Sequence, residues 1–271
     1  MPIWQAVVLG TIQGLTEFLP ISSSAHLAVV PYVTGWRDQG IEFDIALHFG
    51  TLLAVFAYFF RDWLQIIAQG FGIQQGNDPR LARNPKLLWL LVAATIPAGV
   101  IGLLFEKQAE AAGNNLYSIG TMMIVIGVFM AWADRRARQS KDVGQVSMGD
   151  ALIIGAAQAL SVIPGTSRSG ITISTGLLRS LDRGSAARFS FLLAMPVIAG
   201  AALKNFLDIW KHGLAPEMQA AFAVGIVVSA AVGAITIRFF MEFLRRRSLM
   251  FFVTYRIVFG ILVIALAIFR S

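Results

Sequence analysis

Gly10-Thr11-Ile12-Gln13-Gly14-Leu15-Thr16-Glu17-Phe18-Leu19-Pro20-Ile21-Ser22-Ser23-Ser24-Ala25-His26 places a carboxylate, an imidazole and a run of hydroxyls inside otherwise apolar sequence. A second stretch repeats its outline: Gly155-Ala156-Ala157-Gln158-Ala159-Leu160-Ser161-Val162-Ile163-Pro164-Gly165-Thr166-Ser167-Arg168-Ser169-Gly170. Each runs Gly-x-x-Gln, then apolar residues and a proline, then a serine cluster, with the register shifted by one residue. An ionisable group inside a membrane segment is expensive and marks function. One stretch supplies Glu17 and His26 and the other supplies Arg168. The polar groups therefore read as one site divided between two halves of the chain.

The surrounding sequence is that of a membrane protein. Mean hydropathy is +0.70 and 56% of the 271 residues are apolar, outside the soluble globular range. There are no cysteines, which excludes disulfides and thiolate metal sites. The net charge of +7 fits basic loops facing anionic lipid, and nucleic acid is not expected as a partner. The N-terminus has no basic run ahead of its apolar stretch, so it is read as mature chain and not as a leader.

Apolar runs predict six spans near 43–60, 87–106, 116–133, 187–210, 219–243 and 249–269. The polar segments 63–86 and 134–149 read as loops. The two motif stretches, within 3–33 and 151–178, are apolar but broken. If each dips into the membrane and returns on the same side, a half crosses three times, and the second half is inverted relative to the first. The expected fold is all-α: six transmembrane helices plus two re-entrant hairpins, in inverted repeats of about 1–140 and 145–271 forming a single membrane domain. Two ordinary kinked spans, giving eight crossings, are the alternative. Basic residues orient the re-entrant arrangement. One side receives Arg61, Arg80, Arg83, Lys86, Arg135, Arg136, Arg138, Lys141, Arg179, Arg183, Arg188, Arg245, Arg246 and Arg247. The other receives Arg37, Lys107, Lys204, Lys211 and Arg270. The first side is cytoplasmic and both termini lie outside.

Each polar residue has a functional and a bland reading. Glu17 follows Gln13 by one helical turn, and oxygen ligands at this spacing suit a hard divalent cation that also takes substrate phosphate. The bland reading is a hydrogen bond along a helix face. Ser22, Ser23 and Ser24 cap a helix or, with His26 and a carboxylate nearby, permit nucleophilic attack. Arg168 lies between Ser167 and Ser169, with Gly165, Thr166 and Gly170 around it. That is the composition of a phosphate cradle: backbone N–H groups, hydroxyls, a helix dipole and a bidentate fork. His48 reads as a satisfied structural histidine within a span, and His212 as solvated. Arg256, near the start of the last span, reads as a side chain that snorkels to the interface.

The two motifs, Gln13 through His26 and Pro164 through Gly170, resemble the signatures of the undecaprenyl-diphosphatase family of integral membrane proteins. Leu47-His48-Phe49-Gly50-Thr51 and Phe189-Ser190-Phe191-Leu192-Leu193-Ala194-Met195-Pro196 are similar to that family as well. The resemblance runs nearly end to end. It implies a bacterial inner-membrane hydrolase that converts undecaprenyl diphosphate to the monophosphate and inorganic phosphate. This recycles the lipid carrier for peptidoglycan and confers bacitracin resistance. It also implies a site open to the outer face, dependence on a divalent cation (magnesium, with calcium as the alternative) and the ability to form dimers. By motif, Glu17 matches the essential carboxylate, Ser23 the nucleophile, His26 the motif histidine and Arg168 the diphosphate-binding arginine. Gln13 stands where some members carry glutamate, and Ala25 where some carry glycine. The rival reading is a lipid-phosphate carrier, because inverted repeats with broken helices are also transporter architecture.

Overall fold

The computed structural model describes residues 1–105, 115–213 and 215–270, without the side chains of 205, 206 and 208–212. Lys107 and the side chains of Lys211 and His212 lie outside the described residues, as does the expectation that His212 is solvated. Among the described residues the chain is all-α, with one isolated bridge between Lys141 and Leu181.

Among the described residues six helices are long and apolar enough to cross a membrane: α3 (Ile41–Tyr58), α6 (Leu87–Leu104), α7 (Leu116–Arg136), α10 (Arg183–His212), α11 (Pro216–Arg246) and α12 (Met250–Arg270). The chain is a multi-pass membrane protein. All six lie where hydropathy placed them. The motif stretches form four shorter helices: α1 (Ile3–Thr16), α2 (Ser23–Thr34), α8 (Met148–Ala159) and α9 (Arg168–Leu178). At about 1.5 Å per residue none of these reaches the roughly 30 Å of a hydrocarbon core. A short helix, a polar turn, a short helix and three long helices thus occur in this order twice. The packing alternates between halves: α1 lies against α11, and α8 lies against α6.

One expected loop is partly helical. The segment 63–86 contains most of α4 (Phe60–Gly70) and all of α5 (Pro79–Ala82). In α4, Gln65, Ile66 and Ala68 turn inward and Leu64 and Ile67 outward, and Arg61, Asp62 and the glutamines interrupt a helix already too short to register as a span. Asp78 caps α5 by accepting from the N–H groups of Arg80 and Leu81.

The basic residues assigned to one side are tied together at one end of the molecule. Arg188 bridges Asp62 and Asp78 at 2.7 and 2.8 Å, Arg183 pairs with Asp134, and Arg83 pairs with Asp142. Asp150, fully buried at the start of α8, holds Lys141 and Arg179 at 3.1 and 2.8 Å. Burial pushes the Asp150 carboxyl up. The Ser147 N–H and the Arg179, Ser147 and Lys141 side chains outweigh that, leaving it at about 2.

The core is apolar and aromatic at its centre. Phe191 of α10 meets Phe18 edge-on at 5.5 Å, and also contacts Phe59 and Phe240. Phe18 is fully buried and adjacent to Glu17, so this cluster anchors the first motif from below. At the crossing of α7 and α12, Gly120 and Gly260 oppose each other. A Cβ on either would come within 2.8 Å of the other's carbonyl oxygen, so only glycine permits this approach.

Candidate active site

The two motif turns meet. The first, between α1 and α2, carries Glu17; the second, between α8 and α9, ends at Arg168. Arg168 Nη2 donates to Glu17 Oε1 at 2.5 Å across 151 positions of sequence. Ser24 Oγ accepts from the Gly165 N–H at 3.4 Å, and Ser169 Oγ donates to the Leu19 carbonyl at 3.2 Å, so the turns are also stitched through the main chain.

Their local geometry is shared. Ser22 has φ 73° and Ser167 has φ 67°, a region that non-glycine residues rarely occupy and that clusters at functional sites. Each serine immediately precedes a helix, so Ser23 opens α2 and Arg168 opens α9. Both helix N-termini therefore present unpaired N–H groups and positive dipole ends to one place. The expected serine cap forms only in the second turn, where Ser167 Oγ accepts from the Gly170 N–H at 3.1 Å. Ser22 Oγ instead contacts Ser24 Oγ.

Glu17 is the hub and is buried. Its Oε2 accepts from Ser23 Oγ at 2.6 Å and from Gln13 Nε2 at 3.1 Å. His48 reaches the same oxygen: its Nδ1–H donates to the Asp44 carbonyl at 2.8 Å, which turns Nε2 toward Glu17 Oε2 at 3.4 Å. A cavity of about 280 Å³ opens beside these groups. Glu17, Ser22, Ser23, Ser24, His48, Ser161, Ser167 and Arg168 line it, with Ile45, Val197, Ile198 and Ala201 as its apolar wall. Arg168 lines the cavity and its Nη1 is buried without a partner, a group that a ligand can satisfy. Gln13 Oε1 is likewise buried without a partner, but Gln13 lies behind Glu17 and is not among the residues lining the cavity. A second hollow of about 1000 Å³ shares Ser24 and His48 with it and is walled by Leu27, Pro31, Phe43 and Phe222.

The structure redistributes several expected roles. His26 is not brought to Glu17. Its Nδ1–H donates to the Ser22 carbonyl at 2.7 Å, its Nε2 accepts from Tyr255 Oη at 2.8 Å, and its ring stacks on Phe259 at 4.4 Å. One turn of α2 rotates this imidazole to the far side of the tip. Gly165, Thr166, Ser169 and Gly170 belong to the framework of the second turn and are not among the residues lining the cavity. His48, expected to be structural, lines the cavity instead. Its signal in the sequence was a lone imidazole within an apolar span. Ser161, in the short 3-10 turn Leu160–Val162 just ahead of the second tip, was also missed.

Arg256 corrects a further expectation. It does not snorkel; it is fully buried. Its guanidinium donates to the carbonyls of Pro20 at 3.2 Å, Gly165 at 2.8 Å and Thr166 at 3.1 Å, and its Nε–H to Met123 at 3.2 Å. Position near a helix end suggested the interface. The approach of α12 to α7 buries it behind the two tips.

Comparison with known proteins agrees with this architecture. The family described as Bacitracin resistance protein BacA matches residues 6–262. The undecaprenyl-diphosphatase of Moorella thermoacetica is 44% identical over 265 residues, covering 98% of each chain. That of Pelotomaculum thermopropionicum is 45% identical over 271 residues, covering 100% of this chain and 99% of the relative. With the match running from α1 into α12 and through both tips, the chain belongs to the bacitracin resistance protein family of undecaprenyl-diphosphatases.

Proposed function

We infer that the chain hydrolyses undecaprenyl diphosphate to undecaprenyl phosphate and inorganic phosphate, in the bacterial inner membrane. The observation that carries this is the join of Ser23, Glu17 and Arg168: a hydroxyl on a carboxylate, beside a guanidinium with one nitrogen open. That set holds a nucleophile, its base and an anion clamp. A carrier needs the clamp but not a hydroxyl held on a carboxylate, so the transport reading is not favoured.

The chemistry follows from these contacts. The incoming diphosphate competes with Glu17 for Arg168, whose fork suits two phosphate oxygens. Releasing Glu17 from its cation makes it a stronger base at the moment substrate is bound. Ser23 Oγ then attacks the terminal phosphorus and passes its proton to Glu17. The bridging P–O bond breaks, and undecaprenyl phosphate leaves. Water cleaves the phosphoserine, returning the proton through the same carboxylate. The N-termini of α2 and α9 and Arg168 stabilise the charge on the phosphoryl oxygens. His48 faces the same carboxylate oxygen and serves the same proton transfers. The isoprenoid tail takes the apolar wall, Leu27, Pro31, Phe43 and Phe222, of the hollow between α2, α3 and α11, whose other side is polar with Asp38, Gln39, Glu42 and Asp44.

A divalent cation fits the donor set in part. Gln13 Oε1 is a buried oxygen without a partner and Glu17 is a carboxylate, both hard ligands. Among the described residues no three His, Cys, Asp or Glu side chains cluster, so the diphosphate must complete the shell. We propose magnesium, with calcium as the substitute, held by Glu17 and Gln13. When bound it neutralises phosphoryl charge. The positive-inside distribution further supports both termini outside and a site open to the outer face.

Phosphate release from undecaprenyl diphosphate by detergent-purified protein tests this reading. Release that stops with chelator and returns with magnesium is expected. No release under any cation would end it. Labelled phosphate trapped on Ser23 in a single turnover is expected for the covalent route, and its absence would point to direct attack by water.

A further inference from the structure

Arg256 is a buried cation whose described partners are all main-chain carbonyl oxygens. An unpaired buried charge is costly, and an apolar side chain of similar volume fills space at lower cost. Its position must therefore return something that only a charged fork gives. Three of its four acceptors lie in the motif turns: Pro20 in the first, and Gly165 and Thr166 in the second. The fourth, Met123, is on α7, so the charge is fixed to the scaffold rather than to either turn alone. Gly165 adopts φ 88°, and a Cβ there would strike the main chain at Ile119 of α7, which holds the second turn against the same helix.

A trans peptide points its N–H opposite to its carbonyl. Arg256 draws on the Gly165 and Thr166 carbonyls; the Thr166 N–H is held within the turn by the Ile163 carbonyl at 3.2 Å, so it is the Ser167 N–H that is polarised toward the other side. Ser167 lines the cavity, and its backbone leads into the N-terminus of α9. Hydrogen bonding at the carbonyl end strengthens donation at the N–H end of the same peptide.

We propose that Arg256 is a positioning residue for the reaction. It holds the carboxylate turn and the arginine turn in register from behind, and it polarises the second turn toward the diphosphate without touching it. This rests on the phosphatase reading. Its test separates the two by measuring tip proximity and anion binding as well as turnover.

The chain has no cysteines, so labels can be placed without background. Ser24→Cys and Ile163→Cys put one spin label on each turn. Because the Ser24 label replaces the hydroxyl that accepts from Gly165 and lines the cavity, pyrophosphate affinity and kcat are measured on chains without labels, and broadening is compared only between labelled chains. In the parent, the labels should broaden each other's spectra strongly. Arg256→Met should weaken that broadening, lower affinity for inorganic pyrophosphate by about tenfold, and lower kcat by about 10²-fold, the scale of a displacement of roughly 1 Å at a reacting centre. Arg168→Ala should lose pyrophosphate binding but keep the broadening, showing that anion grip and tip register are separable. Arg256→Lys keeps the charge but cannot reach three carbonyls; it should fold, with kcat reduced and KM changed little. A folded Arg256→Met with parental broadening and pyrophosphate affinity would overturn the proposal. So would parental kcat in Arg256→Lys, which decides the matter if the methionine variant does not fold. If the parent releases no phosphate, the phosphatase reading fails, while the broadening and pyrophosphate binding still report on Arg256.

Discussion

At the first tip Ser22 has φ 73° and ψ 95° and hands the chain to Ser23; at the second, Ser167 has φ 67° and ψ 107° and hands it to Arg168. The backbones match and the chemistry does not. One turn presents a hydroxyl backed by a carboxylate, the other a guanidinium. The preceding glutamines match as well, yet Gln13 bonds Glu17 while both amide atoms of Gln158 are buried without a partner. The difference teaches that the repeat supplies a cradle twice, two strained turns each opening a helix N-terminus, and that single side chains then assign the work. The base and nucleophile fall to one half, the anion clamp to the other.

The sharpest way to break this division is to remove the clamp. Arg168→Ala should lower kcat by about 10³-fold, the range seen when a charge-stabilising donor is lost. Arg168→Lys should recover little, because a point charge does not replace a bidentate fork. Full activity in the lysine variant would show that charge alone suffices. On the other side of the pair, Glu17→Gln should lose turnover to a similar extent while pyrophosphate binding measured with chelator present holds or tightens, because the internal competitor for Arg168 is gone. Weaker cation-free binding in that variant would mean that the Glu17 carboxylate is needed to keep Arg168 in place for the anion.

The two histidines sharpen the comparison at smaller scale. His48→Ala should lower kcat by roughly 10²-fold, the upper end of what one proton-transfer partner contributes being somewhat larger, with thermal stability unchanged. His26→Ala should lower the melting temperature together with kcat, because it removes the Tyr255 hydrogen bond and the stack on Phe259 that tie α2 to α12. Equal melting temperatures in the two variants would place both histidines in the same role.

The smallest effect on chemistry is expected at the charged end. The folded Asp150 carboxyl lies at about 2, below its ordinary value of 3.8, so it contributes stability above about pH 4 that fades as pH falls toward 2. Asp150→Asn should remove that acid-range dependence and lower stability by about 3 kcal/mol near neutral pH, the scale of breaking a buried pair. Its pyrophosphate affinity should remain parental. A change in that affinity would link this end to the site.

Much of this was legible in the sequence because apolar runs are long and turn chemistry is local. The six long helices, the two broken motifs and the sharing of one site by the turns of Glu17 and Arg168 follow from hydropathy, from the proline and serine clusters, and from the cost of burying charge; the direct ion pair between them does not. What was not legible depends on rotation and on distant packing. His26 shares the motif with Glu17, but its place one turn into α2 aims it at Tyr255. His48 looks inert in sequence because nothing local says which face of α3 meets the tip. Arg256 is separated from Pro20 by 236 positions, and only the glycine-to-glycine crossing of α7 and α12 takes it out of reach of the interface. The helix α4 was hidden because Arg61, Asp62, Gln65 and Gln69 interrupt its short apolar run.

The claim beneath all of this is that the two tips act as one unit. A double-mutant cycle on kcat/KM with Glu17→Gln, Arg168→Ala and the pair tests it most directly. The account predicts strong coupling, with the double variant no worse than about tenfold below the weaker single. Losses that multiply, each variant acting as though the other tip were elsewhere, would contradict it.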